Sequence, residues 1–591
     1  TGRRERVLNR ELRRIRLSPR VLLPDRRRRV QPNVMCQEQM TTFSTHEITN
    51  QPPPFDGLNL YTSDAALQEA VMREGGGHAA RCLVAFGLVC GSADSQERAR
   101  LANDNRPQLA TFDHQGRRID LVNYHPAYHE LMQISCAEGL NCASWLYLTK
   151  REQVPVVDQQ VARAAGLYLA TQMEPGHLCP ISMTHAAVPV LLMQPSVAEI
   201  WLPKVVSRCY DARREPIEVK RSATIGMGMT EKQGGSDVLA YTTSAEPLGD
   251  DGEYLLTGHK WFLSAPMSDA FLMLAQTVEG PCCFLVPAYL PDESRNGLAI
   301  QRLKNKLGNR SNATAEVELQ NAHGWLIGEP GNGVKAMNEM VTQTRLDCAV
   351  SSAALMRQAL AQAIHHAEHR NAFGRKLVEQ SLMVQVLADL ALDVEAAVAL
   401  VFRLARSFDR RQDEHAYAWW RFMTPVTKYW TTKIAPPFIF EAMECMGGNA
   451  YVEELPMARI YREAPANAIW EGAGNVLALD VLRVLQREPD IASVVMDDLA
   501  DAVGDDPHLK AAYTRVQGIL HEPRLLDGRA RAFVEGLAVL AAGTILRVHA
   551  PAPVADAFVA TRMGSLNRQT YGQGVDWANT QAILQRASPN C

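Results

Sequence analysis

The most distinctive stretch of the 591-residue chain reads Gly228-Met-Thr-Glu-Lys-Gln-Gly-Gly-Ser-Asp-Val-Leu-Ala240. It combines hydroxyl side chains with the pair Gly234-Gly235, and the missing side chains there let a ligand come close to backbone N–H groups. Gly226-x-Gly228 alone would be a weak sign of a phosphate loop, because no strand-then-helix pattern of a dinucleotide fold surrounds it. The stretch indicates a ligand-binding loop. The simpler alternative is a glycine-rich turn capped by its Thr and Ser.

The sequence pattern changes on both sides of this loop. Residues 60–200 have mostly helical periodicity, whereas 222–328 contain short alternating strings separated by turn signals, which is typical of a β domain. Helical periodicity returns after 328–333, and Glu488-Pro489 indicates a linker before a last helical block. The predicted segments are a leader (1–39), a helical domain (40–221), a β domain (222–328), a second helical domain (329–487) and a helical tail (488–591).

The formal net charge of -4 conceals an uneven distribution. Residues 1–39 contain twelve Arg and four acidic residues, so the remainder of the chain is acidic. This excludes a uniformly basic nucleic-acid binder but leaves a local basic patch open. The leader lacks the apolar segment of a secretory signal, and its acidic residues argue against a transit peptide. We expect a disordered or non-native leader, with a DNA-binding arm as the alternative.

Membrane and metal functions are not expected. The uncharged run 536–546 is too short to span a bilayer, which takes about 20 apolar residues, and it indicates a core helix. The twelve Cys form no C-x-x-C pair and no zinc-finger spacing with His. Scattered thiols in a large chain are typical of a reducing compartment, so a cytoplasmic location is expected.

The loop at 228–240 resembles the signature of the acyl-CoA dehydrogenase family at every specified position. Downstream, Trp261-Phe262-Leu263-Ser264 is similar to the strand on which that family rests the flavin of FAD. The resemblance implies that Phe262 packs on the flavin and that Ser264 reaches its N5 region, although Trp-Phe beside a strand is usually core. The implied FAD contacts here are Met227, Met229, Thr230, Gly235, Ser236, Phe262, Leu263 and Ser264. Thr230 and Ser236 are also assigned to the acyl-CoA substrate.

Two further segments resemble FAD-binding parts of the family. In 370–377 the resemblance places Arg370 on the pyrophosphate and Phe373 near the adenine of a neighbouring subunit's FAD, and the planar guanidinium suits phosphate oxygens. The alternative is an Arg that satisfies carbonyls at a helix C-terminus. The segment 444–451 resembles a second signature and adds Gly447 and Gly448, but Ala450 replaces the usual Gly.

The stretch Ile469-Trp470-Glu471-Gly472-Ala-Gly474-Asn475 matches the place where most of the family carries its catalytic glutamate. The reaction needs a carboxylate that removes the α-proton of a thioester, and burial raises a carboxyl pKa toward the range of a general base. A minority of the family places the base just before a helix Arg, but here Thr344 occupies that position, so Glu471 is the candidate. A carboxylate facing a helix macrodipole is the alternative. The same resemblance assigns FAD contacts to Trp470, Gly472, Gly474 and Asn475.

The chain resembles in particular the alkylation-response branch of the family, through 179–184, 306–312 and 479–484. This implies an α+β acyl-CoA dehydrogenase fold, with a helical N-terminal domain, a central β-barrel, a helical bundle and an extra helical C-terminal domain. It also implies a homotetramer, weak isovaleryl-CoA dehydrogenase activity and a role for double-stranded DNA in the response to alkylation damage. The alternative is an ordinary short- or branched-chain acyl-CoA dehydrogenase without a DNA role.

The charge of the tail limits the DNA prediction. Residues 484–591 contain ten basic and twelve acidic residues, so binding would require a local basic face rather than a basic domain. A solvated helical face is the alternative. The candidate DNA contacts are Arg483, Arg515, Arg524, Arg529 and Arg531.

Overall fold

The computed structural model describes residues 45–149, 158–249, 252–521, 523–564, 571 and 577–589. The predicted leader, 1–39, lies outside these residues. The chain from Asn50 to Cys591 forms one compact unit, in which helices are followed by strands, a second set of helices and a further helical group. This order confirms the predicted α+β class.

The described residues of the first helical part form seven α-helices. The buried side chain of Asp64 caps the first of them by accepting a hydrogen bond from Leu67 N. The helices are α1 (Ala65–Arg73), α2 (Ala80–Cys90), α3 (Ala93–Asp104), α4 (Pro126–Glu138), α5 (Gln159–Met173), α6 (Leu178–Leu191) and α7 (Pro195–Val205). An antiparallel hairpin, β1 (Gln108–Phe112) and β2 (Arg118–Asn123), interrupts them and was not predicted from the helical pattern.

The central part is a β-barrel. Its strands are β3 (Ile225–Gly228), β4 (Ser244–Pro247), β5 (Glu253–Ser264), β6 (Ala270–Thr277), β7 (Gly280–Pro287), β8 (Leu298–Leu303) and β9 (Thr314–Ile327). Strands β6, β4, β5, β9 and β7 pair in a closed ring, because β7 returns to β6, while β3 joins β6 and β8 joins β9 outside the ring. The pairing confirms the predicted barrel.

Strand β6 is apolar on both faces and connects the barrel interior with the first helical part. Successive side chains of a strand point to opposite faces. Phe271 and Met273 pack in the barrel interior, whereas Leu272 and Leu274 pack with side chains of α6. An uninterrupted apolar strand therefore joins the barrel to the first helical part.

The second helical part is built around two long helices. Its helices are α8 (Gly333–His369), α9 (Ser381–Asp409), α10 (Glu414–Ala418), α11 (Thr424–Met446), α12 (Gly448–Tyr451), α13 (Met457–Ile469) and α14 (Gly474–Arg487), and a short hairpin, β10 (Asn371–Ala372) and β11 (Arg375–Lys376), follows α8. The sequence predicts a single apolar stripe on α9, yet its residues 387–402 are buried on all sides. The stripe residue Leu382, by contrast, is 84% exposed.

The remaining helices explain the burial of α9. They are α15 (Pro489–Val503), α16 (Pro507–Leu520), α17 (Pro523–His549), α18 (Ala552–Met563) and α19 (Trp577–Ala587), and three of them, α17, α18 and α19, pack on α9. The Arg562 guanidinium of α18 contacts the buried carboxylates of Asp389 and Asp393 at 2.6 and 2.8 Å. Arg586 of α19 likewise contacts Glu395 at 2.5 Å. Acidic residues on the outer face of α9 thus attach the tail.

Helix α17 contains a segment, Leu526–His549, that is long and apolar enough to cross a membrane by composition alone. Within its most apolar window 61% of the residues are buried in this fold. Phe533, Val534 and Leu537 belong to the main hydrophobic core. The run 536–546 is part of this buried helix, as its length predicted.

Candidate active site

The structure brings the 228–240 loop and the Trp261–Ser264 strand together. Strand β3 leads into the loop, and Trp261 N donates a hydrogen bond to Thr230 O at 2.8 Å. Lys232 N donates to His259 Nε2 at 3.0 Å. Gly235 and Ser236 are exposed at the tip of the loop. The backbone of the loop is therefore attached to the strand that carries Phe262.

A buried ion pair that sequence reasoning missed fixes the base of this loop. Glu231 and Lys260 have fully buried side chains and meet at 2.9 Å. Glu231 also accepts hydrogen bonds from Thr242 N at 2.7 Å and Thr243 N at 3.2 Å. Burial opposes ionisation of Glu231, but the bonds from Thr243 and Thr242 and the Lys260 ammonium hold its pKa at about 2. The ion pair of Glu231 and Lys260 thus stabilises the base of the loop.

A β-bulge presents the aromatic pair of the strand. In the pairing of β5 with β9, Lys260 lies opposite Val317 and Leu263 opposite Ala315, so Trp261 and Phe262 share one position of the partner strand. Phe262 is 49% exposed, whereas the Leu263 side chain is 1% exposed within the barrel core. Leu263 is buried as a whole residue, so its side chain packs within the barrel and does not face a cofactor.

Ser264 lies in a polar pocket together with a thiol. Ser264 Oγ is 3.1 Å from Thr314 Oγ1, which accepts a hydrogen bond from Lys306 Nζ at 2.9 Å. Burial raises the pKa of the Cys179 thiol to about 11. The Lys306 ammonium and a hydrogen bond with Ser264 oppose this rise, whereas the Glu471 carboxylate adds to it. Ser264 and Glu471 therefore both lie close enough to the Cys179 thiol to act on its pKa.

Glu471 occupies a strained backbone position between α13 and α14. Its φ is +56° and that of Gly472 is +102°. A residue with a side chain seldom adopts positive φ, and such strain persists only where surrounding contacts impose it. Gly472 tolerates its φ because it has no Cβ.

Two cations impose this conformation by holding three consecutive carbonyls. Lys428 Nζ donates to Trp470 O and to Gly472 O, each at 2.7 Å. Arg345 Nε donates to Glu471 O at 2.9 Å. Sequence reasoning did not find Lys428, because it is 43 positions away from Glu471 and belongs to no recognised motif.

The electrostatic setting of the Glu471 carboxyl suits a base. Burial raises its pKa, while a hydrogen bond with Thr344 and the charges of Lys428 and Arg345 limit the rise. A carboxyl whose pKa lies above its usual value holds a proton more readily, yet the neighbouring cations keep an ionised fraction available. The group can therefore accept a proton from a carbon acid placed in the pocket.

The remaining predicted contacts beside Glu471 have distinct surroundings. Trp470 Nε1 donates to Asn467 Oδ1 at 3.1 Å, which orients the indole. A Cβ on Gly474 would lie 3.2 Å from a ring carbon of Tyr429, so packing requires a small residue at the start of α14. Asn475 is exposed.

A second cluster forms on the surface around Asn50 and contains the other predicted FAD residues. Arg370 Nη1 donates to Asn50 O at 2.6 Å, and Asn449, next to Gly447 and Gly448, approaches the neighbouring Gln51 at 3.5 Å. Phe373, in the β10–β11 turn, is 98% exposed with a φ of +54°. Among the described residues, no hydrogen bond or ring contact joins this cluster to the Glu471 pocket.

The departure at Ala450 has a structural explanation. Ala450 is buried in the short helix α12, and its φ is negative. The freedom of glycine is not needed at this position, and the methyl group adds buried apolar contact.

The predicted DNA contacts are distributed over the tail and the end of α14. Arg515 and Arg529 are exposed, and Arg515 Nη2 donates to Met563 O at 3.0 Å. Arg483 is half-exposed and lies 3.9 Å from the Asp480 carboxylate.

Arg531 makes the most specific contact of this group. Its Nε donates to Tyr429 Oη at 3.0 Å, and Tyr429 packs beside Gly474. The side chain of Arg524 lies outside the described part of the chain. The structure thus connects one predicted DNA contact with the helix that carries Lys428.

A cavity of about 220 Å³ lies beside the pocket and was not predicted. Its lining includes Pro180 and Ala265, the sequence neighbours of Cys179 and Ser264. Tyr124 and Tyr128 form part of its wall, with stacked rings 4.3 Å apart. Charged side chains, those of Asp211, Arg213, Arg214 and Asp269, also line the cavity, so its wall is mixed in polarity.

Comparisons with known proteins agree with this geometry. Three family profiles match: the adaptive response protein AidB N-terminal domain at residues 50–212, the acyl-CoA dehydrogenase middle domain at 226–322 and the acyl-CoA dehydrogenase C-terminal domain at 331–486. The chain is 46% identical over 517 residues to AidB of Escherichia coli K12, covering 87% of this chain and 94% of that protein. It is 30% identical over 449 residues to acyl-CoA dehydrogenase family member 11 of Caenorhabditis elegans, covering 73% and 71%.

A solved structure extends the comparison to the whole fold. The crystal structure of C. elegans ACDH-11 in complex with C11-CoA superposes with a TM-score of 0.79 at 27% identity, covering 92% of this chain and 93% of that one. The identity to AidB over nearly the full length, the three matching profiles and the shared fold lead to one conclusion. The chain belongs to the acyl-CoA dehydrogenase family of FAD-dependent oxidoreductases, in the branch that includes AidB.

Proposed function

We propose that the protein removes hydrogen from the α and β carbons of a short or branched acyl-CoA, with Glu471 as the base. The observation that carries this proposal is the position of Glu471: it is half-buried, Lys428 and Arg345 hold its backbone in a left-handed conformation, and burial raises its pKa. A carboxylate with a raised pKa is suited to accept the acidic α-proton of a thioester.

The residues present fit FAD. A flat aromatic group can rest on the exposed ring of Phe262. Gly235 leaves room for a ligand, because a Cβ at this position would meet the Thr230 side chain only at 3.7 Å. Ser236 is exposed beside it as a donor for phosphate. When bound, FAD supplies the acceptor for the hydride that leaves the β-carbon. In the Asn50 cluster, Arg370 would hold the pyrophosphate of an FAD bound to a neighbouring subunit.

The protein's own groups would act on the thioester as follows. The Glu471 carboxylate takes the α-proton, and the positive φ of its backbone directs the side chain into the pocket. Arg345 fixes the Glu471 carbonyl and is itself held by Asp480 at 2.6 Å. The stacked rings of Tyr124 and Tyr128 would offer the acyl group an apolar surface.

The proposed substrate class is an isovaleryl-like acyl-CoA, as the resemblance of the sequence to the alkylation-response branch implies. The experiment is an anaerobic titration of the purified protein with butyryl-, isovaleryl- and undecanoyl-CoA, followed by the flavin absorbance. Bleaching is expected with the first two at low concentration. A preference for undecanoyl-CoA would overturn the substrate class, and an oxidised flavin with all three would overturn the dehydrogenation itself.

A second proposal is that the protein also binds double-stranded DNA as part of a protective response to alkylation. The exposed Arg515 and Arg529 of the tail support this, but Arg562 and Arg586 are committed to buried contacts with α9 and do not contribute. Since phosphate contacts release counterions, the affinity should fall steeply with salt.

The DNA proposal can be tested by mobility shifts with the full chain, a chain beginning at residue 40 and an Arg529→Ala/Arg531→Ala variant. Salt-sensitive binding that the variant weakens is expected in both chains. Binding that requires residues 1–39 would assign it to the leader, and unchanged binding by the variant would exclude this face.

We further propose a homotetramer. Three large apolar side chains, Phe373, Leu382 and Tyr451, are 98%, 84% and 81% exposed, and isolated proteins seldom expose several such groups together.

A further inference from the structure

We propose that Lys428 is the positioning residue of the catalytic base. Its ammonium holds the carbonyls on both sides of Glu471 and thereby sets the left-handed backbone that directs the carboxylate into the pocket. The inference rests on the proposed dehydrogenation, because Glu471 is the base of that reaction.

The geometry is specific to a buried ammonium. Lys428 is fully buried in α11, and two of its three donors reach Trp470 O and Gly472 O at 2.7 Å each. Both distances are those of charge-assisted hydrogen bonds. One point charge therefore bridges two carbonyls that flank a single residue.

The two hydrogen bonds from Lys428 stabilise a backbone conformation that a residue with a side chain seldom adopts. Glu471, with a φ of +56°, has a Cβ that disfavours this region. Without Lys428, the carbonyls of residues 470 and 472 would lose their partners, and the Arg345 bond to Glu471 O would be left as the remaining restraint. We expect the loop to relax and the carboxylate to leave its aligned position.

The charges around Lys428 determine the pH range in which its amino group is protonated and can bridge the two carbonyls. Burial lowers the pKa of Lys428 to about 8; Cys348 of α8 and Glu471 oppose the decrease, while Arg345 of α8 and Lys433 of its own helix add to it. Below about pH 8 the ammonium is present, and above it the charge is lost. Activity should thus rise with pH as Glu471 ionises and fall again as Lys428 loses its proton.

Three substitutions separate positioning from a merely structural role. Lys428→Met removes the donors at similar length, Lys428→Arg keeps a charge that does not titrate in this range, and Lys433→Met removes a repelling cation. Lys335→Met, at an exposed position of α8, is the control. The readouts are the pH dependence of anaerobic flavin reduction and amide hydrogen exchange in the 466–478 segment.

Lys428→Met should slow reduction at pH 7 by about 10- to 100-fold, remove the alkaline decline and accelerate exchange in the segment. Lys428→Arg should keep slow exchange and lose the decline near pH 8. Lys433→Met should move the decline to higher pH, and the control should match the wild type.

Wild-type exchange and an unchanged alkaline decline in Lys428→Met would overturn the proposal. If Lys428→Met does not fold, a decline near pH 8 that persists in Lys428→Arg overturns it equally. If no acyl-CoA reduces the wild-type flavin, the proposed dehydrogenation fails, while the exchange measurement still decides whether Lys428 holds the loop.

Discussion

Thr344 adjusts the proton affinity of Glu471. A minority of the family carries its base at this place in the long helix, and here a hydroxyl stands there instead. That hydroxyl donates within its own helix to Val341 O at 3.1 Å and Met340 O at 3.3 Å, and its interaction with the Glu471 carboxyl lowers the pKa of Glu471 against the effect of burial. The position has therefore changed from a site for the base to a site that acts on the base.

We predict that Thr344→Val raises the pKa of Glu471 further. Since the base must be ionised to take a proton, the ascending limb of the pH profile of flavin reduction should move to higher pH. Reduction should slow on the order of tenfold at pH 6 and less at pH 8, because a hydrogen bond to a charged group is worth about 1.5–3 kcal/mol.

The matched control is Thr342→Val, since the Thr342 hydroxyl donates to Asn338 O of the same helix. Its profile should overlay that of the wild type. An unshifted limb in Thr344→Val would show that the hydroxyl does not act on Glu471.

Motif resemblance predicted site residues that belong to a sequence signature. It did not predict residues whose role depends on tertiary contacts. Phe262, Ser264 and Glu471 were predicted from their strings, and both Ser264 and Glu471 act on the pKa of the Cys179 thiol. Lys428 was not predicted, because helix packing brings it to Glu471. The burial of the Leu263 side chain depends on the bulge, which the sequence does not display.

At the scale of elements, the tail helices complete the bundle. A long helix with an apolar stripe normally exposes its other face. In α9 the other face contains Asp389, Asp393 and Glu395, which receive Arg562 and Arg586 from the tail. An acidic face that would be solvated in a shorter protein is here a docking surface for two helices.

We predict that Arg562→Met destabilises the protein by about 3–5 kcal/mol, because it removes the cation that two buried carboxylates share. Urea unfolding measures the loss, and limited proteolysis should cut the tail first.

Lys510→Met is the control for this prediction, since it breaks the exposed pair with Asp505. Surface pairs contribute roughly 0–1 kcal/mol, so its unfolding midpoint should hardly change. Equal effects of the two substitutions would mean that the tail is not held by the buried pair.

The order of the elements followed from periodicity, and the exceptions have physical reasons. The β1–β2 hairpin lies between helices and is short, so the helical pattern on both sides masked the alternation in 118–123. Helix α9 is buried on all sides because the tail helices cover it. The periodicity of α9 alone does not predict this cover. At Ala450 a departure from the family pattern proved to be harmless, because the backbone there is helical.

At the scale of the whole molecule, the predicted FAD residues fall into two clusters, the Glu471 pocket and the Asn50 cluster. A neighbouring subunit would unite them, since Arg370 and Phe373 would then reach the FAD of the next chain. The exposed ring of Phe373 supports such an arrangement.

We predict that Phe373→Asp weakens both assembly and FAD retention. Asp tolerates the positive φ of this turn, so local folding should be preserved. Light scattering should show a smaller particle, and the flavin-to-protein absorbance ratio should fall after gel filtration.

Phe112→Asp, at another exposed Phe on the β1–β2 hairpin, is the control and should leave both quantities unchanged. A Phe373→Asp protein with wild-type mass and flavin content would contradict the proposed subunit contact.

The central claim is that Glu471 is the base of an acyl-CoA dehydrogenation. Its most direct test is the rate constant of anaerobic flavin reduction by isovaleryl-CoA in the wild type and in Glu471→Gln, with flavin content as the check on folding. The glutamine keeps the size of the side chain and removes its basicity, so the rate should fall by about 10²- to 10⁴-fold at unchanged flavin content. A Glu471→Gln protein that is reduced at the wild-type rate would contradict the assignment.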